Sequence, residues 1–230
     1  MDKILLPGIY VALSVAAFAV GKAVNRRMKH PVANATLIAI AIVIFVLLGS
    51  GQSYASYLHG GKWIAWLLGP ATVALGIPLA RHRNAIAYDA MAIGLAVFVG
   101  AVVSAVFAPL LLQALGGSSL LVLSIAPKAV TTPIAMAIAE RVGGVPALAA
   151  VFAIIGGVIV AVSAEPVLRR IGIQDHRAFG LSMGAAGSGI GAAQAVDRHP
   201  QAGAYAALAV GLNSVLTALL LPVLLRLHLL

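Results

Sequence analysis

The sequence predicts an all-α fold, a polytopic helical membrane protein with two broken or re-entrant segments. Three observations carry this reading. The 230 residues are 62% hydrophobic and 9% charged, with a mean hydropathy of +1.06, and apolar runs of spanning length fill nearly the whole chain. The stretch Ser124–Met136 breaks one such run with Pro127, Pro133, the Thr131/Thr132 pair and Lys128. A second run, Met183–Gln194, carries glycines at 184, 187, 189 and 191, too many for a plain spanning helix. Open sheets cannot span lipid, and nothing alternates with the period of a barrel strand.

Residues 4–21 predict a first helix, retained rather than cleaved, because no small-residue cleavage site precedes Lys22. A basic loop follows with Lys22, Arg26, Arg27, Lys29 and His30, and 31–48 predict a second helix. Residues 49–61 read as a polar, glycine-rich connection whose Tyr54 and Tyr57 suit a membrane interface. The third segment, 63–80, contains Gly69-Pro70, Thr72, Gly76 and Pro78 and is expected to kink or break. Residues 85–114 predict one long helix, closed by Gly116-Gly117. Beyond the first broken stretch, 147–168 and 202–225 predict spanning helices, with basic or polar loops at 169–177 and 197–200. One integral domain, 1–230, is expected, with 1–117 as scaffold helices.

Loop charges bear on the path of the first broken stretch. With the 22–30 loop in the cytoplasm, the loops at 81–83 and 115–117 obey the positive-inside rule. A single crossing of 118–140 puts the basic 169–177 loop outside; a re-entrant hairpin puts it inside and is favoured. A shift of 57 positions supports this picture. It lays Glu140-Arg141 on Asp197-Arg198, Ala149-Ala150 on Ala206-Ala207, Leu168-Arg169 on Leu225-Arg226, and Thr131 on Ser188. The halves 118–170 and 178–228 are thus candidate inverted repeats, the plan of many secondary transporters. Arg226, which falls outside in this scheme, counts against it.

Chemistry concentrates in the broken segments. Lysine at membrane depth costs about 3 kcal/mol on the insertion scale. A broken segment frees backbone groups, and helix N-termini beside the break carry partial positive charge. Lys128 with Thr131, Thr132 and Ser188 therefore suits a small anion, most simply a carboxylate. The alternative is that Lys128 snorkels to headgroups at a hairpin mouth. Of the six acidic residues, only Asp89 and Glu165 fall within long apolar helices, and no pair has the spacing of an ion-coupling cluster. Glu165, beside Pro166 and Arg169, reads as an interfacial salt bridge more readily than as a proton carrier. The histidines sit at helix ends or in loops. There is no metal constellation, no nucleophile paired with a base and no phosphate loop, so no cofactor is expected and enzyme chemistry is disfavoured. Cysteine is absent, which removes thiol chemistry. The net charge of +9 follows topology and anionic lipid headgroups, not nucleic acid.

The run Ala126-Pro127-Lys128-Ala-Val-Thr131-Thr132-Pro133-Ile-Ala-Met-Ala resembles the signature of the LrgB/CidB family. Asn34, the Tyr54…Tyr57 pair, Leu68-Gly69-Pro70-Ala-Thr72 and Gly184…Gly191 match it too. The family includes a plastidic glycolate/glycerate translocator. The resemblance implies an antiholin-like role in murein hydrolase activity and lysis beside a small LrgA/CidA-type membrane partner, or transport of short monocarboxylates such as pyruvate, glycolate or glycerate. It places the protein in a bacterial inner membrane. The family pattern has histidine, threonine and arginine where this sequence has Ser188, Ala192 and Gln194, so no protonatable histidine carries over. The expected binding residues are Lys128, Thr131 and Thr132 with Pro127 and Pro133, closed by Ser188, Gly191 and Gln194, and joined by Asn34 and Thr72. Glycine- and alanine-rich faces permit close helix association, and a homo-oligomer, most simply a dimer, is expected.

Overall fold

The computed structural model describes residues 2–28, 35–67, 70 and 80–227, with side chains from residue 7 onward except that of Ala65. The described residues form ten α-helices and no strand. Four helices, at 7–28, 90–114, 146–170 and 200–226, are long and apolar enough to cross a membrane. The contacts divide the chain into two compact units, 1–76 and 77–230.

In the first unit, α1 (Asp2–Met28) runs past the expected end at residue 21. Of the residues read as a basic loop, Lys22, Arg26 and Arg27 lie in the last two turns of this helix, while Lys29 and His30 lie outside the described residues. No helix breaker intervenes, and Arg26 and Arg27 meet the negative end of the helix dipole. Gly21 lies so close to α2 (Ala35–Ser50) that a Cβ there would overlap the Ala35 carbonyl. The polar connection expected at 49–61 is mostly α3 (Tyr54–Trp66). Ser53 caps it, its Oγ accepting from the Ser56 N–H at 3.2 Å. Helical spacing turns Tyr57 towards α1, where its hydroxyl lies 2.7 Å from Ser14 Oγ and its ring meets Tyr10 edge-on at 5.7 Å. Gly60, read as part of the polar connection, is instead a point of close contact with Pro7 and Tyr10. Most of the segment read as kinked, 63–80, lies outside the described residues.

The second unit begins with α4 (Arg83–Tyr88) and α5 (Ala90–Ala114), where one continuous helix was expected. The single-residue interruption is Asp89, whose carboxylate is drawn to Tyr205 and Arg177. Next come α6 (Ser119–Ile125), a linker over 126–131, and α7 (Thr132–Val142). Thr131, in extended conformation, starts α7, and Pro133 sits in its first turn, where a missing N–H costs nothing. Gly143, at φ +86°, ends it.

This stretch reverses direction. The N–H of Val145 donates to Ser124 Oγ at 2.8 Å, and a Cβ on Gly144 would stand 3.0 Å from the Leu123 carbonyl carbon. Residues that a crossing helix would separate by roughly 30 Å are therefore neighbours. The stretch is a re-entrant hairpin, as the loop charges favoured.

The chain then spans in α8 (Pro146–Arg170) and enters α9 (His176–Arg198). α9 is a second hairpin, with arms at 176–187 and 189–198 that fold back at Ser188 (φ 53°, ψ −142°). A straight helix would hold His176 and His199 roughly 34 Å apart; here their rings stack at 4.1 Å. Arg198 lies over the Phe179 ring at 4.3 Å. A Cβ on Gly191 would overlap the Met183 carbonyl, so the glycine is what lets the arms close. The loop expected at 197–200 shrinks to His199, whose Nδ1 accepts from the Gln201 N–H and caps α10 (Pro200–Arg226).

The two hairpins enter from opposite ends of α8. Gly144 and Val145, which lead into α8, hold the first hairpin's mouth; Glu165, near its end, bonds Arg198 at the second's. Both tips reach the middle. A Cβ on Gly156 would stand 4.0 Å from the Lys128 carbonyl oxygen, and one on Gly157 3.0 Å from that of Gly187. The Arg177–Asp89 pair places the 169–177 loop beside the N-terminal end of α5. Arginines 83, 169, 170, 177 and 198 therefore share one end, which the positive-inside rule assigns to the cytoplasm.

The absence of cysteine makes a labelling test clean. Ser118→Cys and Arg141→Cys should react with an impermeant maleimide from the same side of the membrane, and Gln174→Cys only from the other. Labelling of residues 118 and 141 from opposite sides would refute the first hairpin.

Candidate functional site

Lys128 lies in the linker at the tip of the first hairpin, half-buried. Pro127 beside it is fully buried. The Lys128 ammonium donates to Ser104 Oγ at 3.2 Å. Ser104 is the only hydroxyl residue of α5, near that helix's middle. Among the described residues no carboxylate comes within ion-pair distance of Lys128. The ammonium faces a cavity of about 550 Å³ between α5 and the first arm of the second hairpin. Val97, Val103, Phe107 and Leu181 supply apolar wall, and Ser182 a second hydroxyl.

Asn213, fully buried on α10, joins the two hairpins. Its Nδ2 donates to the Ala129 carbonyl at 2.8 Å and to the Ala185 carbonyl at 3.0 Å. Ala129 follows Lys128, and Ala185 lines the cavity. One amide therefore satisfies a backbone carbonyl on each side of the site. Asn213 falls within the helix predicted over 202–225 and was given no role there. Its signal was a carboxamide amid apolar residues at spanning depth, where such a group needs a partner. The missed signal for Ser104 was similar, a lone hydroxyl in an apolar helix.

The other expected site residues are dispersed. Thr131 and Thr132 are half-buried at the start of α7, and Pro133 is exposed there; none of the three lines the cavity. Ser188 is buried at the second tip, Gly191 packs on Met183, and Gln194 keeps its Oε1 buried without a protein partner. The structure brings Lys128 to Ser104, Ser182 and Ala185, so it is the first arm of the second hairpin that faces the lysine, not the tip and second arm. Asn34 and Thr72 lie outside the described residues.

The ion pairs of the second unit gather at the end that carries the second hairpin's mouth. Glu165 pairs with Arg169 at 2.8 Å and Arg198 at 2.9 Å, the interfacial salt bridge its sequence position favoured. Asp89 accepts from Tyr205 at 2.6 Å and from Arg177 at 3.1 Å. Arg177 also pairs with Asp175 at 2.9 Å, and these hydrogen bonds hold the Asp175 carboxyl below the usual carboxylate range. Arg177 adjoins Ala178, and Asp89 lies about two turns before Ala96, both of which line the cavity.

Fold and site together define a multi-pass membrane protein in which two re-entrant hairpins meet beside a single lysine. The chain belongs to the LrgB-like family, which matches residues 14–227. It is 28% identical to the holin-like protein CidB of Staphylococcus epidermidis, over 99% of each chain. The holin-like protein CidB of Staphylococcus aureus is 29% identical, over 95% of this chain and 96% of that one. An uncharacterized protein of Bacillus subtilis, YxaC, is 32% identical over 94% of this chain and 90% of its own. No solved structure matches. The long apolar helices and these bacterial relatives make it a multi-pass bacterial membrane protein.

Ser188 is the one described non-glycine residue at positive φ. Ser188→Gly should therefore raise stability by about 1 kcal/mol as strain is relieved, read as a higher Tm in detergent. Asn213→Leu should lower it by about 1–2 kcal/mol; an unchanged Tm would mean the amide bonds contribute nothing.

Proposed function

We propose that this protein is a secondary transporter of small monocarboxylates, of the pyruvate, glycolate or glycerate kind, working by alternating access. The observation that carries this is the Lys128 ammonium, held by a neutral hydroxyl and facing a cavity where two broken segments meet. A cation at that depth without a carboxylate partner lacks the charge that an anionic substrate supplies. Substrate sites of secondary transporters lie at such midplane meetings of broken helices. In this reading 118–170 and 178–228 are inverted-repeat halves. Their register supports it: at the 57-residue offset Gly156 corresponds to Asn213 and Lys128 to Ala185, and Gly156 lies near Lys128 as Asn213 contacts Ala185. Lys128 with Ser104 holds the carboxylate, and Thr131, Thr132, Ser188, Gly191 and Gln194 close on it in other states of the cycle. The Arg177–Asp89 pair is the cytoplasmic closure. The cavity holds one cation and two hydroxyls and no acid/base pair, which favours carriage over catalysis.

A second reading draws on the names of the Staphylococcus relatives, holin-like protein CidB. Here the protein is an antiholin-like regulator of murein hydrolase activity and lysis. It acts with a small LrgA/CidA-type membrane protein, as a homodimer or larger assembly.

Purified protein in liposomes should take up labelled pyruvate or glycolate saturably, and Lys128→Ala should reduce the rate at least tenfold. Normal transport by Lys128→Ala removes the assignment. Unsaturable leakage of unrelated solutes favours the second reading.

A further inference from the structure

The groove that Lys128 faces has a second polar point. Ser182, half-buried on the first arm of the second hairpin, lines it together with Lys128 and Ser104. The Ser182 O–H donates to the Phe179 carbonyl at 2.8 Å. An oxygen so engaged has no proton left to give, yet it still accepts. Ser182 therefore suits a hydroxyl donor on a ligand. It suits a keto oxygen poorly, because that group only accepts.

Two contacts set how far apart the polar points lie. Arg177, at the start of the first arm, bonds Asp89, at the start of α5. Further along both, a Cβ on Gly100 would stand 3.9 Å from the Ala185 Cβ. The arm and α5 thus run side by side in the same direction, level with each other at Ala185 and Gly100. Ser104 lies one turn beyond that level, and Ser182 lies nearly one turn before it. At a rise of about 1.5 Å per residue, the two hydroxyls are roughly 10 Å apart along the groove. Between them Gly100 contributes no side chain.

A ligand that joins the two points makes a hydrogen bond of about 2.8 Å at each end. Its carboxylate sits on Lys128 and Ser104, and its hydroxyl on Ser182. The span left for the ligand itself is roughly 4 Å. A hydroxyl on the third carbon of an acid reaches that far from the carboxylate. A hydroxyl on the second carbon lies beside the carboxylate and falls short.

Resting on the transport reading above, we propose that Ser182 is a specificity-determining residue of the same site, selecting monocarboxylates that carry a hydroxyl on the third carbon. Pyruvate, glycolate and lactate bind through Lys128 and Ser104 alone. Glycerate and 3-hydroxypropionate gain the bond to Ser182. One neutral hydrogen bond should tighten binding about threefold to tenfold.

Lactate and 3-hydroxypropionate are isomers that differ only in where the hydroxyl sits, so their ratio isolates this contact. The test is their competition against labelled pyruvate uptake in proteoliposomes, for the wild type, Ser182→Ala and Ser182→Thr. In the wild type 3-hydroxypropionate should compete about threefold to tenfold more strongly than lactate. Ser182→Ala should bring the two to equal potency, and Ser182→Thr, which restores a hydroxyl, should keep the preference. A merely structural Ser182 would change the rate with every acid and leave the ratio alone. Equal potency of the isomers in the wild type, or an unchanged ratio in Ser182→Ala, overturns the assignment. Saturable pyruvate uptake that is lost in Lys128→Ala then leaves the transport reading standing. If pyruvate does not enter saturably and no acid competes, both fall.

Discussion

The second unit depends on one amide. Hairpins that turn inside a bilayer leave carbonyl oxygens at their tips without helical partners, and lipid offers none. Asn213 answers this on both sides at once, donating to Ala129 in the first hairpin and Ala185 in the second. The two breaks are thereby held at one level against α10. Lys128, one residue before Ala129, inherits its position from that arrangement, and so does the cavity wall that carries Ala185.

Close packing of small residues makes the arrangement possible. The second hairpin lies against α10 through Gly180 and Gly184, where any Cβ would overlap the Ala202 and Ala206 carbonyls. α8 presents Gly156 and Gly157 to the two tips. The buried residues are mostly alanine and glycine, whereas large apolar side chains such as Phe98, Ile155, Ile159 and Leu219 point outward. That is the reverse of a soluble core, and it follows from a solvent as apolar as leucine, in which backbone proximity, not side-chain burial, drives helix association.

Charge is segregated to match. The ion pairs of Glu165, Asp89 and Asp175 with arginines lie at the cytoplasmic end, around the second hairpin's mouth. Arg177 reaches both Asp89 on the α4–α5 side and Asp175 on its own hairpin. At mid-depth the second unit carries Lys128 and no acidic residue among those described.

By itself the sequence determined the membrane class, the spanning helices of the second unit, the two interruptions and the lysine between them. These are local properties: hydropathy, proline, glycine and the cost of charge in lipid are each legible residue by residue. Loop charge extended this to the first hairpin, because topology obeys a rule of counting. Local signals failed where packing overrides them. Gly60 and the tyrosines of 54–57 read as a loop until contact with α1 made them helix, and Asp89 read as helical until Tyr205 and Arg177 drew it out. Only the tertiary structure decided that Lys128 faces Ser104 and the first arm of the second hairpin rather than Ser188 and Gln194. The reason is that these partners lie 24 and more than 50 residues away, and no periodicity in a chain rich in alanine and glycine records which of its similar faces will meet.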